Sequence, residues 1–126
     1  MATERDFRYF IERYGEDGAS DKFEGACYNM LKHKYPYIDV SRIKENPGDE
    51  GIDVYVGDFN GPIDVYQCKF YMNKLHYENI NKSLERAVNN KYYKLNEWYL
   101  VIPKRLDIKE KKTWSNWKEN KEKNIQ

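Results

Sequence analysis

The chain reads as a single α/β domain in which helices flank a mixed sheet of about four strands, and three observations predict it. Short apolar runs lie on either side of Asn60-Gly61, the pattern of a β-hairpin. A segment of helical period over 78–90, with Ile80, Leu84, Ala87 and Val88 inward, separates that hairpin from the apolar run 98–102. A strand joined to a later strand through a helix becomes its parallel partner, with a right-handed crossover. Finally, Ile52, Val54 and Val56 share one side of the first hairpin strand, and Ile63 and Val65 share one side of the second, which implies a sheet covered on both faces. The expected order is α-α-β-β-β-α-β-α.

Each element follows from local signals. Thr3 can cap a first helix in which Phe7, Phe10, Ile11 and Tyr14 recur at helical spacing, with Gly15 as a stop and 16–19 as a turn. Asp21 then opens a second helix whose stripe is Phe23, Ala26, Cys27, Met30 and Leu31, ended by Tyr35-Pro36. Residues 38–43 form the first strand, and the loop 46–51 leads into the hairpin. The fourth strand, 98–102, is closed by Pro103. In the Lys- and Glu-rich segment 106–126, Trp114 and Trp117 lie one helical turn apart and are expected to cover the sheet. Residues 118–126 carry no apolar stripe and read as a frayed end or a charged linker to an absent C-terminal region, so the domain is drawn over 1–117. There is no internal repeat.

With 126 residues the chain is long enough for one core. Its 22 Lys and Arg against 21 Asp and Glu leave a net charge of +1, so any attraction to nucleic acid must come from local clustering. The mean hydropathy of −1.03, with 12 Tyr and 3 Trp, points to a core built on aromatic rings whose polar ends need partners. No segment is apolar enough to span a bilayer. The two cysteines, Cys27 and Cys68, have no metal-ligand spacing and no signal peptide precedes them; they read as reduced, buried spacers in a cytoplasmic protein.

The polar residues of the hairpin carry the functional signal. Side chains two apart on a strand share a face, so Gln67 and Lys69 follow Ile63 and Val65 onto one face while Cys68 points to the other. Whether Asp53 joins them depends on register. A two-residue turn at Asn60-Gly61 sets Asp53 opposite Cys68; a three-residue loop 59–61, with Gly61 left-handed, sets it opposite Gln67. The second register is expected.

Asp53, the Gln67-Cys68-Lys69 triplet, Glu24 on the preceding helix and the glycine-bearing approach 46–51 together resemble the Mrr-type branch of the PD-(D/E)xK nucleases. The likeness runs from about Phe23 to Trp117. Ile52 stands where the name-giving Pro would be, and Gln67 where an acid is usual. The resemblance implies a restriction-endonuclease-like core. It also implies a metal-dependent endonuclease acting on double-stranded DNA with little sequence specificity, the effector of a bacterial anti-phage protein switched on by homo-oligomerisation. It implies Glu24, Asp53, Gln67 and Lys69 as catalytic residues. Mg2+, or Mn2+ in its place, would be held by Asp53, the Gln67 amide oxygen, the Cys68 carbonyl and Glu24. Lys74, Lys82, Arg86, Lys104 and Arg105 are candidates for phosphate-backbone contacts.

Bland readings stand beside these. Glu24 lies three residues after Asp21, the spacing of a capping box. Asp53 and Lys69 could form an ordinary strand-end pair, Asp49 and Glu50 read as loop residues, and His33 and His76 as surface or helix-end residues. The alternative function is a catalytically inactive nucleic-acid-binding or assembly module on the same fold.

Overall fold

The computed structural model describes residues 4–43 and 53–125; the side chains of 4–17 and 125 lie outside the described set. The elements, in chain order, are helix α1 (Glu4–Lys34), strands β1 (Val40–Arg42), β2 (Val54–Val56) and β3 (Pro62–Cys68), helix α2 (Tyr77–Val88), strand β4 (Lys94–Val101) and helix α3 (Ile108–Ile125). The four strands form one mixed sheet in the order β1-β2-β3-β4. The first three are antiparallel neighbours, and β4 runs parallel to β3. The expected layers and the parallel crossover through α2 are therefore present.

One expectation fails at the start: the two N-terminal helices are a single helix, α1, that runs through Gly15 and Gly18. A glycine inside a helix costs about 1 kcal/mol relative to Ala, which permits a stop without imposing one. No proline between 4 and 34 removes a backbone N–H. Ala19, in the expected turn, is fully buried at the head of a stripe continued by Phe23, Cys27 and Leu31. Met30, expected in that stripe, is exposed. The helix ends just before Tyr35-Pro36, as the sequence predicts. Thr3 and the loop 46–51 lie outside the described residues.

Alternation along the hairpin divides the core into two layers. Val54, Val56 and Tyr66 pack with Val40 beneath Cys27 and Leu31 of α1. On the other face Ile63 and Val65 meet Tyr93, with Tyr55, Leu95 and Trp98 at the margin. That second face is covered by α2, which buries Ile80, Leu84 and Ala87. Burying side chains of this size stabilises by roughly 1.5–3 kcal/mol each, so the two layers are what fixes the sheet between its helices.

The hairpin register pairs Val54 with Tyr66, Tyr55 with Val65 and Val56 with Asp64, which continues to Asp53 opposite Gln67. The expected register holds, but its turn is built differently. Gly61 is not the left-handed residue; Gly57 is, at φ 118°. The tip is closed by the Gly61 N–H donating to the Asp58 carbonyl at 2.9 Å and the Asn60 N–H donating to Asp58 Oδ1 at 2.8 Å. The aspartate side chain makes the turn locally, so positive φ is needed only where the strand leaves the ladder.

Strand β4 begins at Lys94, four residues before the expected 98–102. Its early residues are polar because it is an edge strand, and an extra residue near Asn96 shifts its register against β3 between Ile63 and Asp64. Helix α3 continues through 118–125, past the end of its apolar stripe, with a Lys123–Glu119 pair at 3.5 Å on its surface. Trp114 and Trp117 stack on each other at 5.1 Å and meet Tyr77 of α2. Among the described residues no helix is long and apolar enough to cross a membrane.

Candidate functional site

The site lies at the end of the sheet where β2 begins and β3 finishes. Asp53 is fixed from one side by β1, since the Ile43 N–H donates to its backbone carbonyl at 2.9 Å. Its carboxylate turns toward β3, where Oδ2 accepts two hydrogen bonds: from Gln67 Nε2 at 2.8 Å and from the Cys68 N–H at 2.9 Å. The second bond follows from strand geometry. The Lys69 N–H donates to Val101 of β4 at 3.0 Å, so the residue before it directs its N–H toward β2, where the Asp53 carboxylate meets it. The side chain thus caps the end of the described β2–β3 ladder.

Gln67 is 5% exposed, one of two buried polar residues among those described. Its Nε2 is bonded to Asp53, and its Oε1 has no donor among the described residues. Buried amide oxygens are satisfied in most folded proteins, so this one marks a place for a donor or a cation. Lys69 follows at the end of the strand, half-buried, on the side that alternation assigns to Gln67.

Glu24 comes to this end of the sheet on α1. Its neighbour Phe23 packs edge-on against Phe70 at 5.7 Å and joins a cluster with Met72, Cys68 and Val101. Because α1 is continuous, Asp21 is not a helix start and there is no capping box for Glu24 to complete. Instead Asp21 and Glu24 clasp Arg42 of β1, which donates at 3.0 Å to Asp21 Oδ1 and at 3.3 Å to Glu24 Oε1. Arg42 has no counterpart among the sequence-predicted site residues. Its only signal was a cation on the short first strand, which does not reveal a helix partner.

The two acids share one electrostatic neighbourhood. Cys27 and Cys68 belong to one apolar cluster, and the negative charges of Asp53 and Glu24 act on both thiols. The neighbouring Cys68 thiol lowers the Cys27 thiol against the opposing effect of burial. Cys68 is pushed far up, first by the Cys27 thiol and then by burial. Among the described residues no three His, Cys, Asp or Glu side chains converge as a metal-binding group. The contacts that are seen join Asp53 to the Gln67 amide and the Cys68 N–H, and join Glu24 to Arg42.

The predicted phosphate contacts scatter. Lys74 and Arg105 are exposed. Lys82 pairs with Glu78 at 3.5 Å and shares a shallow depression on α2 with Arg86, Glu85 and Asn89. Lys104 is bonded at 2.9 Å to Glu110, which also accepts the Asp107 N–H at the start of α3. His33 is in the last turn of α1 and His76 precedes α2, both at helix ends as expected. Asp49 and Glu50 lie outside the described residues. A groove of about 250 Å³ between α2, β4 and α3, lined by Leu84, Trp98, Trp114 and Trp117, contains none of the predicted site residues. The chain matches no protein-family model, no curated protein and no solved structure.

Proposed function

We propose that the chain is a metal-dependent endonuclease domain of the PD-(D/E)xK type, Mrr-like branch, on a restriction-endonuclease-like core. Its substrate is double-stranded DNA, cut with little sequence preference. The observation that carries this reading is the Gln67 amide, whose Nε2 is bonded to Asp53 while its buried Oε1 has no donor among the described residues. An unsatisfied buried acceptor costs about 1–3 kcal/mol, and a hard cation or its water supplies what is lacking. Asp53, Gln67 Oε1, the Cys68 carbonyl and Glu24 offer oxygens alone, the donor type that Mg2+ takes, with Mn2+ accepted in its place. The residues therefore fit the ion.

When bound, Mg2+ polarises the phosphate and lowers the pKa of water it carries. The chain's own groups do the rest. Asp53 supplies the strand-borne negative charge, and Gln67 adds an oxygen without adding a second charge. Glu24, held by Arg42, contributes the other carboxylate from α1. Lys69 sets an ammonium beside the scissile phosphate and offsets the charge that builds on its oxygens, an effect strengthened where water is scarce. Lys74, Lys82, Arg86, Lys104 and Arg105 steady the DNA backbone, Lys104 by giving up its bond to Glu110. The cellular role we assign is that of a cytoplasmic anti-phage effector activated by homo-oligomerisation.

A second reading is favoured by the same carboxylate: Asp53 Oδ2 already accepts two protein donors, as a purely structural acid would. That reading is a silent nucleic-acid-binding or assembly module. Plasmid DNA incubated with the protein and Mg2+ separates the two. The nuclease reading expects nicking that EDTA, Asp53→Ala and Lys69→Ala each abolish. Cleavage indifferent to all three removes it, and DNA retention without cleavage in the assembled oligomer selects the silent module. RNA and branched junctions in the same panel define the substrate class.

A further inference from the structure

Strand β4 is an edge of the sheet: among the described residues its only strand neighbour is β3. The Lys69 N–H donates to the Val101 carbonyl, so Val101, Tyr99 and Glu97, at alternate positions, turn their main-chain groups toward β3. Trp98 and Leu100 turn an N–H and a C=O each the other way, where the sheet has no further strand. Edges of this kind are usually blunted by charge, proline or a bulge. The first half of β4 is, by Lys94 and the extra residue near Asn96, but 98–101 carries none of these. Beside it lies the groove of about 250 Å³. Leu95, Asn96, Glu97 and Trp98 all line that groove, and since neighbouring side chains point to opposite faces, a groove touched by each in succession follows the edge itself. Its far wall is helical, with Leu84 and Val88 of α2 and Trp114 and Trp117 of α3. Trp98 adds a buried Nε1–H that has no acceptor among the described residues.

We infer that the β4 edge and this groove together bind an extended peptide of a partner protein, added to the sheet as a further strand. Outward N–H and C=O groups two residues apart are matched by another extended backbone, which favours a polypeptide over a nucleic acid stacked on the Trp side chains. Alternate side chains of the added strand face α2 and α3, so an apolar residue enters the groove and an acidic residue two positions on meets the lysines of its rim. Those are Lys118 and Lys121, neither of which is in an ion pair among the described residues; Lys121 lies over the Trp117 ring at 5.7 Å. Of the two acids that also line the groove, alternation turns Glu97 to the opposite face from Trp98, so Glu122 alone opposes the two cations on the α3 wall. The inference lies outside the nuclease reading and uses none of that site's side chains.

The test is fluorescence anisotropy with the full chain and labelled peptides of about seven residues, blocked at both ends, a length that spans a typical strand. They carry Thr at odd positions, Val, Leu or Phe at the first two even positions and Asp at the last. Saturable binding is expected. The double variant Lys118→Glu/Lys121→Glu weakens it about tenfold, and Val88→Glu, at an exposed position that lines the groove, abolishes it. A thermal melt confirms that both variants are folded. N-methylation of alternate peptide residues isolates the main-chain contribution, because a strand offers its N–H groups to one neighbour only at every second residue. Methylating one set, even or odd, abolishes binding, and methylating the other leaves it intact. Binding affected equally by the two sets, or no binding by any of the peptides, overturns the proposal. So does a dimer of the chain that Val88→Glu dissolves, or single-stranded DNA bound in place of the peptides and lost in the same variant.

Discussion

Replacing the Gln67 amide by a carboxyl probes the centre of the site with a single atom. In Gln67→Glu the 2.8 Å hydrogen bond to Asp53 becomes a contact between two carboxylates. At about 4 Å between charge centres and an effective dielectric of about 20, their repulsion is about 4 kcal/mol. Protonating the new Glu from its ordinary pKa of about 4.3 costs about 3.7 kcal/mol at pH 7, so the pair takes up a proton. The protonated acid then donates to Asp53 as the amide did. The folded state therefore binds one more proton than the unfolded state above the ordinary Glu pKa, and stability falls as pH rises. Urea unfolding is expected to show a loss of roughly 3–4 kcal/mol at pH 7, shrinking to about 1 kcal/mol at pH 5. Mg2+ relieves the same repulsion, so it raises the midpoint of Gln67→Glu at pH 7 more than that of the wild type. Equal stability of the two proteins at pH 7 refutes the geometry of the pair. A pH-dependent loss that Mg2+ leaves untouched refutes the cation site alone.

Four further substitutions test other parts of the structure. Gly57→Ala forces a Cβ at φ 118° to within 3.2 Å of the Pro62 carbonyl and 3.3 Å of Ile63 Cγ2, and is expected to cost about 1–3 kcal/mol in chemical denaturation. Gly61→Ala, whose nearest neighbour is 3.9 Å away, stays within about 0.5 kcal/mol of wild type; the reverse ranking rejects the turn as described. Burial, and then its bond with Tyr35, holds the Tyr66 phenol above the ordinary tyrosine value. Above that value the unfolded chain releases a proton that the folded chain retains, so stability declines on the alkaline side of about pH 10. Tyr66→Phe flattens that decline while losing about 1 kcal/mol at neutral pH; an unchanged alkaline slope excludes Tyr66 as its source. Lys69→Arg keeps the charge but alters its shape and reach, and is expected to lose most of the cleavage rate in a single-turnover assay. Cleavage at the wild-type rate takes Lys69 out of the role assigned to it.

The strand pairing was legible because a period of two leaves only two choices, and just one of them brings Asp53 and Gln67 together. The turn that realises it was not, because two glycines compete for the left-handed position. The winner, Gly57, is chosen by how closely Pro62 and Ile63 approach it, which is a tertiary fact. The long α1 was hidden by Gly15 and Gly18, read as punctuation where the packing of Ala19 and Phe23 overrides propensity. The early half of β4 was hidden by its own polarity: as an edge strand it needs little apolar pattern, and the extra residue near Asn96 breaks what alternation remains. Pairings between elements far apart in sequence, such as Arg42 with Asp21 and Glu24, leave no local trace at all.

An amide at position 67 also decides how the empty and loaded forms of this site differ. With an acid there, two strand carboxylates in contact would favour binding a proton or a cation. With Gln67 the Asp53 carboxylate is satisfied by protein donors alone, so the site is assembled before any ion arrives. Assembly without the ion removes part of the driving force for binding it, since a ligand stabilises a fold only by its preference for that fold. On the proposed reading, the expected outcome is weak Mg2+ binding and a small shift in wild-type melting on adding the ion. In such a site the remaining charge must come from elsewhere when phosphate arrives. That part is proposed for Glu24, which accepts from Arg42 at 3.3 Å, and for Lys69, which follows β3. On the same reading, activation by oligomerisation would act through a shift of α1 against β1 that lengthens the 3.3 Å contact of Arg42 with Glu24.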